Sequence, residues 1–205
     1  WGGRISDRMT QTQNPGGLIP MITSISGAQL FTAGQNTLPL AIADSGTSLA
    51  SVLNPTGLGT SPSTTLARLN AFNALRAQDL SSNYVAAASH VTDLAMQANG
   101  ALQTFQEVTV TFPNTSIGNQ LKQVARLIKK RIDLNVNRQI FYVQIGGFDH
   151  HENELTGQVS LFSQFSQAMR SFYDEMVVQN ISNAVTTFTL SDFGRTMNPA
   201  GTGSG

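Results

Sequence analysis

The chain contains no cysteine. A disulfide framework and thiolate chemistry are thereby excluded, and any metal must rest on carboxylate, imidazole, hydroxyl or carbonyl groups. Charge is also scarce: Asp, Glu, Lys and Arg together make up 12% of the residues, roughly half the ordinary share. The 12 basic and 12 acidic side chains cancel. No basic excess therefore points to nucleic acid, and no acidic tail points to solvating disorder. No apolar run approaches the ~20 residues that a membrane helix needs, so a transmembrane protein is not expected.

Neutral polar residues (Ser, Thr, Asn and Gln) fill the place of the missing charges, a surface common in exported proteins. Hydrophobic residues reach 40% over 205 positions, enough for one domain with its own core. The sequence opens on Trp1-Gly2-Gly3 without an initiator Met and closes on Gly201-Thr202-Gly203-Ser204-Gly205. Such ends lead us to expect a piece of a longer domain.

Three regions follow one another. Residues 1–62, rich in Gly, Pro, Ser and Thr, are expected to form strands and loops. Strands are predicted at Leu18 to Ile25, Gln29 to Phe31 and Thr37 to Ile42, broken by Gly27 and Gly34-Gln35-Asn36, and Pro55, Gly57, Gly59 and Pro62 mark a loop. Residues 63–106 read as helical. Leu66, Leu69, Phe72, Leu75 and Leu80 recur at helical spacing, and a second helix carries Val91, Leu94, Ala95, Ala98, Leu102 and Phe105 on one face.

Residues 107–205 read as a βαβ core. The β-branched run Val108 to Phe112 predicts a short strand ended by Pro113. Asn114, Thr115 or Ser116 is placed to cap a helix with the stripe Ile117, Leu121, Val124, Leu127, Ile128 and Ile132. Lys129, Lys130 and Arg131 suit its C-terminal dipole. Gln139 to Ile145 is a nearly unbroken apolar run, as in a strand buried on both faces. A long helix is predicted over Glu154 to Val178, burying Leu155, Val159, Phe162, Phe165, Met169, Phe172 and Met176, and a further strand over Asn183 to Leu190. Strands joined through a helix run parallel, and ligands bind beyond their C-terminal ends. The two loops expected on that edge are Gly146-Gly147-Phe148-Asp149-His150-His151 and Ser191-Asp192-Phe193-Gly194-Arg195-Thr196.

Asp149, His150 and His151 offer a hard oxygen and two imidazoles within three residues, a set that zinc, manganese or iron uses. Alternate residues of an extended loop share a side, so Asp149 and His151 suit one ion while His150 points elsewhere. The plain alternative is an Asp turn with solvent-facing histidines. In the second loop Asp192 is a further candidate ligand and Arg195 a bidentate holder of an oxyanion; equally, Asp192 caps a turn and pairs with Arg195. His90, inside a helical pattern, reads as a surface or core-edge residue, and Glu152 and Glu154 as helix N-terminal acids or supports of the site. Asp44-Ser45-Gly46-Thr47-Ser48 resembles the signature of pepsin-like and retroviral aspartic proteases. Those enzymes need two such aspartates sharing a proton, and this chain has one on a largely helical background.

Four segments in order resemble the bacterial exported family known as domain of unknown function 1501, itself similar to the alkaline phosphatase and sulfatase superfamily. They are Gly2-Gly3-Arg4-Ile5-Ser6-Asp7, the helical stretch from Gly118 to Ala125, Gly146 to His151, and Thr186 to Thr196. The resemblance implies a three-layer α/β/α sandwich with a mainly parallel sheet, alkaline-phosphatase-like and partial. It implies a divalent metal such as zinc or manganese on Asp149, His151 and Asp192, with His150 in place of the family's threonine; Arg195, from its own chemistry, is the catalytic oxyanion holder expected beside them. Superfamily enzymes carry a second metal-binding histidine where Phe193 stands here. The activity implied is cleavage of a small phosphate or sulfate ester. Export by the twin-arginine route to the periplasm or cell exterior is implied as well. The alternative is a non-catalytic exported binding or assembly module with a degenerate site, in which a homo-oligomer or larger assembly is expected.

Overall fold

Three parallel strands form the sheet, in the order β2 (Leu40–Ala41), β1 (Ile22–Ser24), β3 (Ile140–Tyr142). Thr23 sits opposite Leu40 on one side and Phe141 on the other. The computed structural model describes residues 1–53, 57–198 and 201–202. Pro55 of the expected loop, and Gly203 to Gly205, lie outside the described residues. The central strand is wholly buried, with Met21, Ile22 and Ile25 in the core. Two of its three residues, Thr23 and Ser24, are polar and buried all the same.

Helix α1 (Gly2–Gln13) occupies a region expected to hold only strands and loops. Its apolar residues Ile5 and Met9 are exposed, while Gly2, Gly3 and Ser6 are buried. A Cβ on Gly3 would overlap the main chain of Ala33 and Gly34, so the helix docks through absent side chains rather than apolar ones. The predicted strand at Gln29 to Phe31 is instead a 3-10 turn, Leu30–Thr32, closed by bonds from Thr32 N and Oγ1 to Gln29 O.

Helices α2 (Ser63–Arg76) and α3 (Asn83–Leu102) form as predicted, tied by the Arg76–Asp93 pair at 2.6 Å. Their predicted apolar faces are only partly covered: α2 buries no residue and α3 buries Ala98 and Leu102. Helix α4 (Ser116–Lys129) starts where Thr115 Oγ1 accepts from Gly118 N at 3.2 Å. Its stripe of Ile117, Leu121, Val124, Leu127 and Ile128 is buried, each side chain contributing roughly 1.5–3 kcal/mol. Ile132 falls beyond the helix and is exposed.

Helix α5 (Glu154–Val178) has the predicted bounds and packs on α4. Only its C-terminal half enters the core, through Ala168, Phe172, Glu175 and Met176. Leu155, Val159 and Phe162, predicted to be buried, are 79%, 63% and 55% exposed. Among the described residues β3 is the edge strand of the sheet, and no further strand lies beneath the first turns of α5.

Two predicted strands are absent from the described residues. At Val108 to Phe112 the amides of Thr109 and Val110 donate to Glu175 Oε2, at 2.8 and 2.9 Å, in place of a strand neighbour. Nearby, Arg126 grips Glu107 with Nε at 2.9 Å and Nη2 at 2.5 Å. This guanidinium pulls the Glu107 carboxyl down to about 2. Asn183 to Leu190 begins as a 3-10 turn, Ser182–Ala184, and runs on with Phe188 and Leu190 exposed. Among the described residues, the main chain from Val185 to Leu190 makes no hydrogen bond. The βαβ unit expected over residues 107–205 therefore reduces to β3 and α5. The fold is α/β, with helices around a small parallel sheet. Among the described residues, no helix is long and apolar enough to cross a membrane.

Candidate functional site

The first loop leaves β3 through a side-chain splice. Gln144 N donates to Gln120 Oε1 and Gln120 Nε2 donates to Gln144 O, both at 2.8 Å, so an amide of α4 stands in for a neighbouring strand. Gly147, at φ +94°, then turns the chain in a conformation that side chains disfavour. Phe148 packs edge-on against Phe162 of α5, ring centres 5.5 Å apart. The loop ends at Asn153, whose amide donates to Thr202 Oγ1 at 2.9 Å, while Glu154 N donates to Thr202 O at 3.0 Å. Thr202 thus satisfies amides that the start of α5 leaves open.

Within this frame Asp149 Oδ1 is met twice. His151 Nε2 lies 3.1 Å from it and Arg195 Nη1 donates to it at 2.5 Å. The other Arg195 nitrogen, Nη2, donates to the main-chain carbonyl of His150. Arg195 is largely buried by these contacts and by the Phe193 ring, 5.9 Å from its guanidinium carbon, whereas Asp149 and His151 stay open to solvent. Arg195 therefore pairs with Asp149, not with its sequence neighbour Asp192. His150 turns away, as alternation along the loop predicts, and lays its ring on Gly157 of α5.

Asp192 is exposed, and among the described residues it has no hydrogen-bond or ion-pair partner. Among those residues no three His, Asp or Glu side chains gather into a group able to hold a metal ion. The pair Asp149 and His151 nevertheless fits two corners of a coordination sphere. Their donor atoms are 3.1 Å apart, and metal bonds of roughly 2.1 Å place neighbouring ligands about 3.0–3.4 Å apart.

The remaining candidates separate from this cluster. His90 is exposed on α3. Glu154 lies in the first turn of α5 and accepts from Gln158 Nε2 at 2.6 Å, and Glu152 is exposed. Asp44 folds its carboxylate onto Gly46 N at 2.9 Å, an ordinary Asx turn. Sequence reasoning missed Gly157; a glycine interrupting a long helical pattern was its available signal.

The profile of a family described as Protein of unknown function (DUF1501) matches residues 34–205. That span takes in both site loops and the Gly118 to Ala125 helix, and leaves out Gly2 to Asp7. No curated protein and no solved structure matches the chain. With both loops and most of the sequence inside the matched span, the chain belongs to the DUF1501 family.

Proposed function

We propose that this chain carries one edge of a metal-dependent hydrolase site, of the alkaline phosphatase and sulfatase type, in an exported protein. The observation that carries the reading is the meeting of His151 Nε2 and Arg195 Nη1 on the single oxygen Oδ1 of Asp149. A carboxylate and an imidazole at donor spacing, with a guanidinium beside them, is the set needed to hold a divalent cation and an anionic ester together. On this reading Asp149 and His151 are ligands, Asp192 joins them from the second loop, and Arg195 binds the ester's oxyanion. The small parallel sheet is then the centre of a three-layer α/β/α sandwich.

A bound divalent ion would supply Lewis acidity to the ester oxygen. The chain's own contribution is charge exchange. Arg195 neutralises Asp149; were that carboxylate to hold a divalent ion, the guanidinium beside it would be the group available to the ester. Arg195 keeps its second anchor, the His150 carbonyl, and so stays at the site.

Calorimetric titration with zinc and with manganese tests the ligands, and hydrolysis of an aryl phosphate and an aryl sulfate tests the chemistry. We expect weak binding of one ion by the native chain, lost in Asp149→Ala and in His151→Ala. Absence of binding and of hydrolysis would overturn the reading in favour of a non-catalytic binding or assembly module. Phe193, which lies against Arg195 where superfamily enzymes carry a metal-binding histidine, favours that second reading.

A further inference from the structure

We infer that His150 is a positioning residue, which sets the Asp149–His151–Arg195 cluster by seating its ring on the bare backbone of α5 at Gly157. The inference rests on that cluster being the functional site, but not on a metal or on hydrolysis.

The contact is one of shape. A Cβ built on Gly157 would overlap His150 Cε1, and would lie 2.8 Å from Nδ1 and 2.9 Å from Nε2. The imidazole thus occupies the space that any other residue at position 157 would fill. No polar bond explains the seat, since Nε2 is buried without a hydrogen-bond partner among the described residues. Burying a ring nitrogen unpaired is unfavourable. Local costs of this kind concentrate where geometry serves function.

What the seat fixes is a two-pronged acceptor. Arg195 donates through Nη1 to the Asp149 carboxylate and through Nη2 to the His150 carbonyl. A rigid guanidinium fork spans a side chain and the next residue's main chain only if the backbone between them is held. Below the ring, His150 N donates to Phe148 O at 3.0 Å, closing the loop on itself. With the ring pinned on one side of the loop, Asp149 and His151 are left together on the other, 3.1 Å apart. Gly157 is therefore the floor of the site, although it touches no candidate ligand.

Trypsin reads the arrangement directly, because it must take the Arg195 side chain into its own pocket to cut before Thr196. Ser191 to Gly194 and Thr196 to Asn198 are exposed, and the guanidinium that trypsin must take is engaged by Asp149 and the His150 carbonyl. The measurement is the rate of cleavage after Arg195, followed by mass spectrometry, with far-UV circular dichroism as the check on folding. Gly157→Ala and His150→Ala should each raise that rate about tenfold, as the loss of one charge-assisted hydrogen bond would. The rate of cleavage after Arg131 should stay unchanged. The double variant should cut no faster than either single variant, because both remove the same contact. His150→Phe, which restores a flat ring, should restore protection.

Additive effects in the double variant, or Arg195 as protected in both single variants as in the native chain, would overturn the inference. If Gly157→Ala does not fold, the comparison of His150→Phe with His150→Ala decides: protection kept by Phe and lost by Ala supports the seat, and equal rates overturn it. No ion is added, so a chain that binds no metal fails the hydrolase reading and leaves this test intact.

Discussion

Thr37 meets Asp7 twice on one oxygen: its main-chain N–H at 2.7 Å and its hydroxyl at 2.8 Å both donate to Asp7 Oδ1. The amides of Gln35 and Asn36 complete the clasp at 2.6 and 3.0 Å. One carboxylate thereby anchors α1 to the turn that leads into β2. These amide bonds, Gln35 first, hold the Asp7 carboxyl well below the usual carboxylate range.

Asp7→Ala should lower the melting temperature at neutral pH. The sign of the pH dependence follows from the depressed folded-state value. Stability from Asp7 is complete above its unfolded value, about 3.9. It declines as pH falls further toward the folded value. Thermal melts of native and Asp7→Ala chains should therefore differ by a constant margin from pH 5 to 8 and converge in acid. A margin that grows in acid would contradict this account.

Glu175 is a second carboxylate with a structural task. It is fully buried, with Oε2 accepting from Thr109 and Val110 and Oε1 accepting from Gln179 Nε2 at 2.9 Å. Removing it strands two main-chain amides. Glu175→Ala should cost about 2–4 kcal/mol of unfolding free energy in urea titration, within the range for breaking a buried network. A loss under about 0.5 kcal/mol, the level of an ordinary surface change, would show that water replaces the carboxylate freely.

The overhanging half of α5 yields a prediction about association. The chain exposes 12543 Å², against about 9,300 Å² expected for a folded chain of this mass. Leu155, Val159, Phe162, Phe188 and Leu190 all stand in that exposed surface. The purified chain should bind a hydrophobic dye and show a scattering mass that rises with concentration. Leu155→Lys with Phe162→Lys should reduce both. A dilution series that stays monomeric and dark to the dye would disprove it.

The helices were legible because their signals are local. Apolar residues three and four apart marked α5 over Glu154 to Val178, and of Asn114, Thr115 and Ser116, the three candidates to cap α4, Thr115 is the cap. Helix α1 escaped because its buried face is Gly2, Gly3 and Ser6, which carry no apolar period. The run from Val185 to Leu190 has the composition of a strand, but composition cannot supply a neighbour to pair with. The same division holds at the site. Asp149 and His151 sit two residues apart on one loop, and their pairing follows from that spacing. The bond between Asp149 and Arg195 spans two loops, and the sequence offered Arg195 only its near neighbour Asp192 as a partner.

Ile22 pairs with Ile140 and Thr23 with Leu40, so the central strand finds one partner nearby and the other across more than a hundred residues. Closing so long a loop costs chain entropy before any ladder bond repays it. Helices α4 and α5, nearer to each other in sequence, pack together across a much shorter connection. The sheet edge that carries Asp149 therefore depends on the longest-range pairing of the sheet, and without the junction of β3 to β1 the site lacks the platform on which it stands.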